Sequence, residues 1–162
     1  MKIRIITTGG TIDKIYFDAK SEFQVGEPQI GEVLKEANVA FEYEIVSLLR
    51  KDSLDLTEAD RRTILQAVAA APEKRIVVTH GTDTMVQTAK VLKAAAGRTI
   101  VLTGAMQPAK FRFTDAVFNI GTAVIAAQLL PSGVYIAMNG KIFDPDKAAK
   151  NSELKRFVEN AP

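Results

Sequence analysis

The 162-residue chain contains no cysteine and a single histidine, His80. Without cysteine there can be no disulfide, no thiolate nucleophile and no zinc site with sulfur ligands. One histidine cannot supply a metal site that needs several, so we expect no bound metal. A Gly-x-Ser-x-Gly motif is also absent, which argues against a serine hydrolase in which His80 would complete the triad.

An excess of charge of one sign is lacking as well. Lys and Arg number 21 against 19 Asp and Glu, which gives a net charge of +2. The basic residues are spread along the chain, whereas nucleic-acid binding requires a dense Lys/Arg surface, so we expect no nucleic-acid partner. With 47% hydrophobic and 25% charged residues, the composition is that of a folded protein, and the length predicts a single domain over residues 1–162.

Long apolar runs are missing too. No stretch of the sequence approaches the roughly 18 apolar residues of a membrane-spanning helix. The apolar run near the amino terminus is too short for a signal peptide. We therefore expect no membrane partner and a cytoplasmic location.

Short β-branched runs alternate with helical patterns along the chain. This alternation predicts an α/β fold with three layers, in which helices cover both faces of a mostly parallel, Rossmann-like sheet. The predicted strands are Ile3–Ile6, Phe41–Val46, Ile76–Val78, Ile100–Leu102 and Val134–Met138.

Two amphipathic helices are predicted between these strands. Thr57 is the expected N-cap of the first, because an acidic residue follows three positions on, and this helix ends near Pro72. The second carries an apolar stripe on one side and is closed by Gly97. The stripe consists of Met85, Ala89, Leu92 and Ala96.

Two further segments have their own patterns. Residues 114–130 are apolar on nearly every side, which predicts a helix buried in the sheet layer or in a subunit interface. Residues 12–26 mix aromatic and polar side chains, which suits a β-hairpin or a mobile loop. Pro28 can then start another helix.

Polar residues follow each predicted strand. In an open parallel sheet, ligands bind beyond the carboxyl ends of the strands, so these loops are expected to converge. Their hydroxyls, glycines and few charges suit a small polar ligand better than a dinucleotide. The loops are Thr7–Thr11, Lys51–Ser53, Thr79–Thr84, Thr103–Ala105 and Asn139–Lys141.

Each motif has a structural interpretation beside a functional one. Gly9-Gly10 can be a tight turn or can present Thr11 to a ligand. Thr82-Asp83 can cap a helix or can supply a hydroxyl and a carboxylate. His80 is more typical of a buried, hydrogen-bonded histidine than of a catalytic one. The charged run around Lys150 is, by composition, a solvated tail.

Two motifs together, Thr8–Ile12 and Thr79–Met85, resemble those of the bacterial-type L-asparaginase family. The similarity covers nearly the whole chain but only the amino-terminal α/β domain of that family. The chain therefore looks like a short, single-domain member. The similarity continues through Asp52-Ser53, Thr103–Met106, Asp115 with Asn119, and Gly133–Asn139.

The resemblance implies roles for individual residues. Thr11 corresponds to the family's threonine nucleophile, which forms an acyl-enzyme, and Thr82, Asp83 and Lys150 correspond to a second catalytic group. Ser53 corresponds to the serine that holds the substrate carboxylate. The remaining substrate-binding positions are Gly10, Asp52, Gly81 and Ala105, with backbone N–H groups near Gly10 and Thr82 stabilising the oxyanion. Also implied are L-asparagine as substrate, no cofactor, and a homodimer or homotetramer.

The sequence departs from the family in the loop after Thr11. Phe23 stands where the family has a tyrosine, and Phe cannot donate a hydrogen bond. Tyr16, in the same segment, could substitute for it. Leu54 also replaces a polar residue that many members have near the substrate ammonium.

Three functions stay open at this point. The first is hydrolysis of L-asparagine to L-aspartate and ammonia. The second is action on another amide, such as glutamine, or delivery of ammonia to a partner as in an amidotransferase. The third is a non-catalytic protein that binds asparagine or aspartate.

Overall fold

The computed structural model describes residues 1–95 and 97–160. Its helices and strands alternate in the first two thirds of the chain, and short strands dominate the last part. They are β1 Lys2–Gly9, β2 Lys14–Phe17, β3 Glu22–Val25, α1 Ile30–Glu36, β4 Glu42–Lys51, α2 Glu58–Ala70, β5 Arg75–Thr79, α3 Met85–Leu92, β6 Thr99–Thr103, α4 Ala116–Leu129, β7 Gly133–Met138, β8 Lys141–Phe143, β9 Ala148–Asn151 and β10 Arg156–Glu159.

Six strands form the central sheet in the order β4-β1-β5-β6-β7-β8. All neighbours in it are parallel except β7 and β8. Ile5 of β1 pairs with Ile45 on one side and with Val77 on the other. The chain therefore leaves β1 at the point where the strand order reverses, which is where open α/β sheets bind ligands. The predicted mostly parallel sheet is confirmed.

Alternation along the strands divides the core into two layers. Ile6 and Val78 face α2 and α3, and they pack with Ile64 and Leu92. Their neighbours Ile5 and Val77 belong to the opposite cluster, together with residues of α1 and α4. Because side chains alternate between the faces of a strand, one β-branched run serves both layers. The predicted three-layer α/β architecture is confirmed.

The predicted helix after Thr57 is confirmed as α2. The Thr57 hydroxyl accepts a hydrogen bond from the Asp60 N–H (3.2 Å), and the Asp60 carboxylate accepts one from the Thr57 N–H (2.8 Å). This reciprocal capping box stabilises the start of the helix by about 1 kcal/mol.

The helix predicted to end at Gly97 is shorter than expected. α3 ends at Leu92, and turns follow it. After Leu92 the N–H groups of Lys93, Ala94 and Ala95 each donate to the carbonyl oxygen three residues earlier, a tighter turn than that of an α-helix. Gly97 does have a left-handed φ of 75°, but it closes a turn rather than the helix, and Ala96 lies outside the described residues.

The predicted apolar helix is α4, and only one of its sides is buried. Ile120 and Ala123 belong to the core, whereas Phe118 and Leu129 are exposed. The helix that Pro28 was expected to start begins at Ile30. No helix in the described ranges is long and apolar enough to cross a membrane.

The structure contains three hairpins, of which the sequence predicted one. Residues 12–26 contain the antiparallel pair β2 and β3, in agreement with the hairpin interpretation. β7 turns into β8 through Asn139 and Gly140, whose φ values are 54° and 75°, as in the tight turns of two-residue hairpins. Lys150 lies in β9, which pairs with β10. The interpretation of its surroundings as a solvated tail is therefore wrong.

Candidate active site

The loops after β1 and β5 touch through their glycines. Gly10 has a φ of 91°, and a Cβ atom built on it would lie 2.4 Å from the Cα of Gly81. Only glycine permits so close an approach of two backbones. The contact brings the loop that carries Thr11 against the loop that carries Thr82, as expected from their positions at the carboxyl ends of neighbouring strands.

The loop after β4 packs against the same point. A Cβ atom on Gly81 would lie 2.6 Å from the Ser53 hydroxyl oxygen. The Thr84 hydroxyl donates a hydrogen bond to the Ser53 carbonyl oxygen (2.7 Å), which holds the two loops together. Ser53 is buried, and within residues 1–95 and 97–160 its hydroxyl has no hydrogen-bond partner. A buried hydroxyl of this kind is suited to bind a polar ligand group.

Lys150 reaches the site from the far end of the chain. Its Nζ donates hydrogen bonds to the Thr82 hydroxyl (2.8 Å) and to the Asp83 carboxylate (2.6 Å). Its side chain is 21% exposed, and that of Asp83 is 42% exposed. The structure therefore brings together the three residues of the implied second catalytic group.

The β9–β10 hairpin fixes the position of Lys150. Phe157 of β10 lies opposite Lys150 in the hairpin and is buried in the core. The Phe157 N–H donates to the Asn139 side chain (2.9 Å), and the Asn139 N–H donates to Asn119 of α4 (3.1 Å). Lys150 thus approaches Thr82 from a hairpin that is tied to both the sheet and a helix.

His80 orients the peptide that precedes Thr82. Its Nδ1 lies 2.6 Å from the Gly81 carbonyl oxygen, and its Nε2 lies 2.8 Å from the Thr88 hydroxyl. A carbonyl can only accept, so Nδ1 carries the proton and Nε2 accepts from Thr88. In a trans peptide the C=O and N–H groups point in opposite directions, so the Thr82 N–H points away from His80.

The charge state of His80 follows from its burial. Burial lowers its pKa to about 4, the Gly81 carbonyl opposes this effect, and the charge of Arg61 adds to it. His80 is therefore neutral near pH 7. The buried, hydrogen-bonded histidine predicted from the sequence is what the structure contains.

Two of the expected substrate-binding groups are already engaged. The Gly10 N–H donates to the Lys51 carbonyl oxygen (2.9 Å), so among the N–H groups expected near Gly10 to hold an oxyanion, this one is already engaged. The Asp52 carboxylate pairs with Lys14 (2.9 Å) and accepts from the Leu54 N–H (3.2 Å). Burial alone would raise the pKa of Asp52, but Lys14 and the N–H groups lower it below its ordinary value.

The loop after β6 is held in place by two side chains of the α4 region. The Asp115 carboxylate accepts from the N–H groups of Met106 (2.9 Å) and Gln107 (2.9 Å), and the Asn119 side chain donates to the Gly104 carbonyl oxygen (3.0 Å). These bonds position Ala105, which is buried. Sequence analysis noted Asp115 and Asn119 without a role, and no spacing rule would have supplied one.

Residues 14–25, β2 and β3 with their turn, form a flap beside the Thr11 loop. On the flap, Tyr16 lies opposite Phe23 with ring centroids 5.5 Å apart, and Phe23 contacts Phe111 at 5.8 Å. Both flap rings are about half exposed. Leu54, the other departure noted in the sequence, is also exposed.

Asp13 fastens the base of the flap. Its carbonyl oxygen accepts from the Gly26 N–H (2.8 Å), and its carboxylate accepts from the Gln29 N–H (2.9 Å). Burial raises the pKa of Asp13 to about 6, against the opposing effects of the Gln29 N–H and Arg50. Sequence analysis missed Asp13, because its burial depends on the fold.

In the part of the chain that the structure describes, no group of three or more His, Cys, Asp or Glu side chains could hold a metal ion. The site consists of hydroxyls, backbone groups and two ion pairs, Lys150 with Asp83 and Lys14 with Asp52. This set can activate a hydroxyl nucleophile and can bind a small zwitterion.

Comparison with known proteins gives a consistent result. The family model for the asparaginase amino-terminal domain matches residues 2–157. In the solved L-asparaginase of Thermococcus kodakarensis, a matching region superposes with a TM-score of 0.86 and 29% sequence identity. That match covers 100% of this chain and 52% of the other.

Relatives with different names share this similarity. L-asparaginase 2 of Escherichia coli is 31% identical over 93% of the chain and 46% of that protein. A glutaminase-asparaginase of Pseudomonas aeruginosa is 28% identical over 98% of the chain and 48% of that protein. A glutamyl-tRNA(Gln) amidotransferase component of Aeropyrum pernix is 32% identical over 88% of the chain and 36% of that protein. The chain spans about half the length of these relatives or less.

Proposed function

The chain belongs to the asparaginase family, and from this membership and the geometry of the site we propose that it is an amidohydrolase that converts L-asparagine to L-aspartate and ammonia. In this proposal residues 1–162 act as one domain, in the cytoplasm, without a metal or an organic cofactor. Cell fractionation tests the location.

The observation that carries the proposal is the contact of Lys150 with both Thr82 and Asp83. Residues that are 67 and 68 positions apart meet there at hydrogen-bond distance. A pair between an exposed lysine and a carboxylate contributes only a small gain in stability. A lysine that also donates to a hydroxyl, beside a glycine-lined loop junction, is better explained by chemistry on that hydroxyl or on one near it.

Substrate binding in the proposal uses the junction of the loops. The buried Ser53 hydroxyl holds the substrate carboxylate, and Gly81 and Ala105 line the pocket and have no side chain large enough to block the substrate. The Asp52 carboxylate is paired with Lys14 but is 30% exposed, and its remaining lone pairs can accept from the substrate ammonium. Leu54 adds no polar group to this contact.

The chemical steps proceed through a threonine ester. The Thr11 oxygen attacks the side-chain amide carbon of the substrate, and its proton passes to the amide nitrogen, which leaves as ammonia. Water then attacks the ester carbon, aspartate is released, and Thr11 regains its proton. The Lys150–Thr82–Asp83 group serves the proton transfers.

The oxyanion of both tetrahedral intermediates needs a hydrogen-bond donor. The Thr82 N–H, which points away from His80, is available for this role, whereas the Gly10 N–H is not. One such donor contributes on the order of 3 kcal/mol to transition-state stabilisation.

The experiment that tests the proposal measures ammonia and aspartate released from L-asparagine by the purified chain. We expect the two products in equal amounts, with a Thr82→Val preparation purified in the same way as the blank. If aspartate or asparagine raises the melting temperature but no ammonia is released, the proposed activity is wrong and the chain is a binding protein.

Relatives named as a glutaminase-asparaginase and as part of a glutamyl-tRNA(Gln) amidotransferase favour a second candidate, an amidase that acts on another amide. L-Glutamine has one more methylene than L-asparagine, and a methylene changes selectivity by about 10- to 200-fold. The ratio of kcat/KM for the two amides separates the candidates. Ammonia release that requires a co-purifying protein would indicate an amidotransferase.

A further inference from the structure

Lys14 and Asp52 form an ion pair at the edge of the proposed substrate pocket. Lys14 is the first residue of β2, at the base of the flap, and its Nζ lies 2.9 Å from an oxygen of the Asp52 carboxylate. The two side chains are 27% and 30% exposed. The pair therefore joins the flap to the loop after β4, and part of it stays open to a ligand.

The Asp52 carboxylate lies alongside Ser53. Its other oxygen accepts a hydrogen bond from the Leu54 N–H (3.2 Å), so the carboxylate lies over the Ser53 peptide. In an α-amino acid the ammonium and the carboxylate are bonded to the same carbon atom. A substrate whose carboxylate is bound by the Ser53 hydroxyl therefore places its ammonium close to the pair of Lys14 and Asp52.

The substrate ammonium competes with Lys14 for one carboxylate. Two ammonium groups on the same carboxylate lie within a few ångströms of each other, and like charges at that distance repel. The second carboxylate of the site, Asp83, is likewise paired with Lys150 (2.6 Å). Asp55, the next carboxylate along the loop after β4, is exposed, where water and salt screen its charge. Both carboxylates of the site are thus neutralised by a lysine of this chain before a substrate binds.

We propose that Lys14 determines specificity by weakening the selection for an α-ammonium, so that the chain also hydrolyses four-carbon monoamides that lack this group, such as succinamate. This inference rests on the proposed amidohydrolase activity and extends its substrate class. Succinamate has the carboxylate and the side-chain amide of L-asparagine, but a CH₂ group replaces the carbon that carries the ammonium. It therefore needs no contact with Asp52 and brings no charge that Lys14 repels.

The proposed chemistry needs no α-ammonium. The Thr11 oxygen attacks the amide carbon of succinamate, and the Thr11 proton leaves with the amide nitrogen as ammonia. Water then hydrolyses the ester to succinate and restores the Thr11 hydroxyl. None of the bonds that form or break involves the α-carbon, so selection at that carbon depends on binding alone.

Ammonia release from L-asparagine and from succinamate by the purified chain tests the proposal. In the wild type we expect kcat/KM values for the two amides within about tenfold of each other. In Lys14→Met the Asp52 carboxylate is left unpaired, so it attracts the ammonium of L-asparagine and repels the anionic succinamate. The ratio of kcat/KM for L-asparagine to that for succinamate should therefore rise at least about tenfold.

Two further variants separate the charge of Lys14 from any effect on folding. Lys14→Arg keeps a positive charge beside Asp52 and should keep the wild-type ratio. Lys20→Met removes an exposed lysine from the turn of the flap and should also leave the ratio unchanged. A wild type that prefers L-asparagine by more than about a hundredfold, or an unchanged ratio in Lys14→Met, would overturn the proposal.

Binding of the two products distinguishes a failure of this inference from a failure of the proposed function. Succinate and L-aspartate differ only in the α-ammonium, and titration calorimetry measures their dissociation constants without turnover. If neither amide releases ammonia, the proposed function is wrong, but dissociation constants within about tenfold of each other, with a shift toward L-aspartate in Lys14→Met, would still support the role of Lys14. A wild type that binds L-aspartate alone, or neither product, would overturn it.

Discussion

Lys150 is the residue on which the proposed chemistry depends most directly. Its ammonium lies 2.8 Å from the Thr82 hydroxyl and 2.6 Å from the Asp83 carboxylate. A group positioned for proton transfer contributes about 10²- to 10⁴-fold to the rate. The composition around Lys150 is typical of a solvated tail, whereas the family resemblance implied a catalytic role for this lysine.

We predict that Lys150→Met lowers kcat for ammonia release by at least about a hundredfold. Methionine keeps the length of the side chain but removes the ammonium. Lys147→Met is the control, because Lys147 is exposed and lies on the same approach to β9. Activity of Lys150→Met within a few-fold of wild type would show that the contact with Thr82 is structural.

His80 and Asp13 give the unfolding free energy opposite dependences on pH. The pKa of His80 is about 4 in the folded chain against an ordinary 6.5, so the unfolded chain takes up the proton first and stability falls as pH drops through this window. The pKa of Asp13 is about 6 against an ordinary 3.8, so the folded chain takes up the proton first and stability rises as pH drops. Each effect amounts to about 3 kcal/mol.

We predict that single variants reveal these two cancelling effects. Between pH 6.5 and pH 4, which covers most of both shifts, the unfolding free energy of Asp13→Asn should fall by about 2 kcal/mol relative to wild type, and that of His80→Asn should rise by a similar amount. Urea denaturation at a series of pH values measures both. If the unfolding free energy of both variants changes with pH as that of wild type does, the burial of these two groups is not the cause of the pH dependence.

At the scale of elements, the flap carries Tyr16, the candidate substitute for the tyrosine that the family has where this chain has Phe23. Phe23 has no hydroxyl, but Tyr16 lies opposite it in the hairpin with its ring in contact. Asp13 and Gly26 join the base of the flap to the loop that carries Thr11.

We predict that Tyr16→Phe lowers kcat for L-asparagine about tenfold or more and changes the melting temperature little, because the ring contact with Phe23 is kept. Tyr43→Phe is the matched control, because it removes the hydroxyl of a tyrosine on β4. Steady-state kinetics and thermal denaturation of both variants make the comparison. Equal kcat values in wild type and Tyr16→Phe would show that the Tyr16 hydroxyl takes no part in catalysis.

Periodicity predicted the long elements well and the short ones poorly. The sheet strands and α2 follow from β-branched runs and from the capping signal at Thr57, which are local properties. α3 ends earlier than its apolar stripe because the hydrogen bonds after Leu92 span three residues instead of four, a change that the spacing of apolar residues does not reveal. The strands β8, β9 and β10 have no marked alternation, and their pairing depends on the turn at Asn139–Gly140 and on the burial of Phe157.

At the scale of the whole molecule, the strand order assembles the candidate site. β1 lies between β4 and β5, so the loops that carry Thr11, Ser53 and Thr82 leave the same edge of the sheet. This convergence could be predicted from the parallel sheet alone. The engagement of the Gly10 N–H by Lys51 could not, because it depends on the exact register at the end of β1.

The exposed side of α4 is also a property of the whole molecule. The sequence predicted a helix covered on all sides, by the sheet or by another subunit, and the sheet covers only one side. The other side, which includes Phe118 and Leu129, is exposed. Hydropathy cannot distinguish the two kinds of cover, because both require the same apolar side chains.

The measurement that tests the account most directly is ammonia release from L-asparagine by wild type, Thr11→Ser and Thr11→Ala. The account predicts turnover in the wild type, reduced turnover in Thr11→Ser, which keeps a hydroxyl nucleophile, and a loss of at least about a thousandfold in Thr11→Ala. Turnover in Thr11→Ala close to that of the wild type would contradict it.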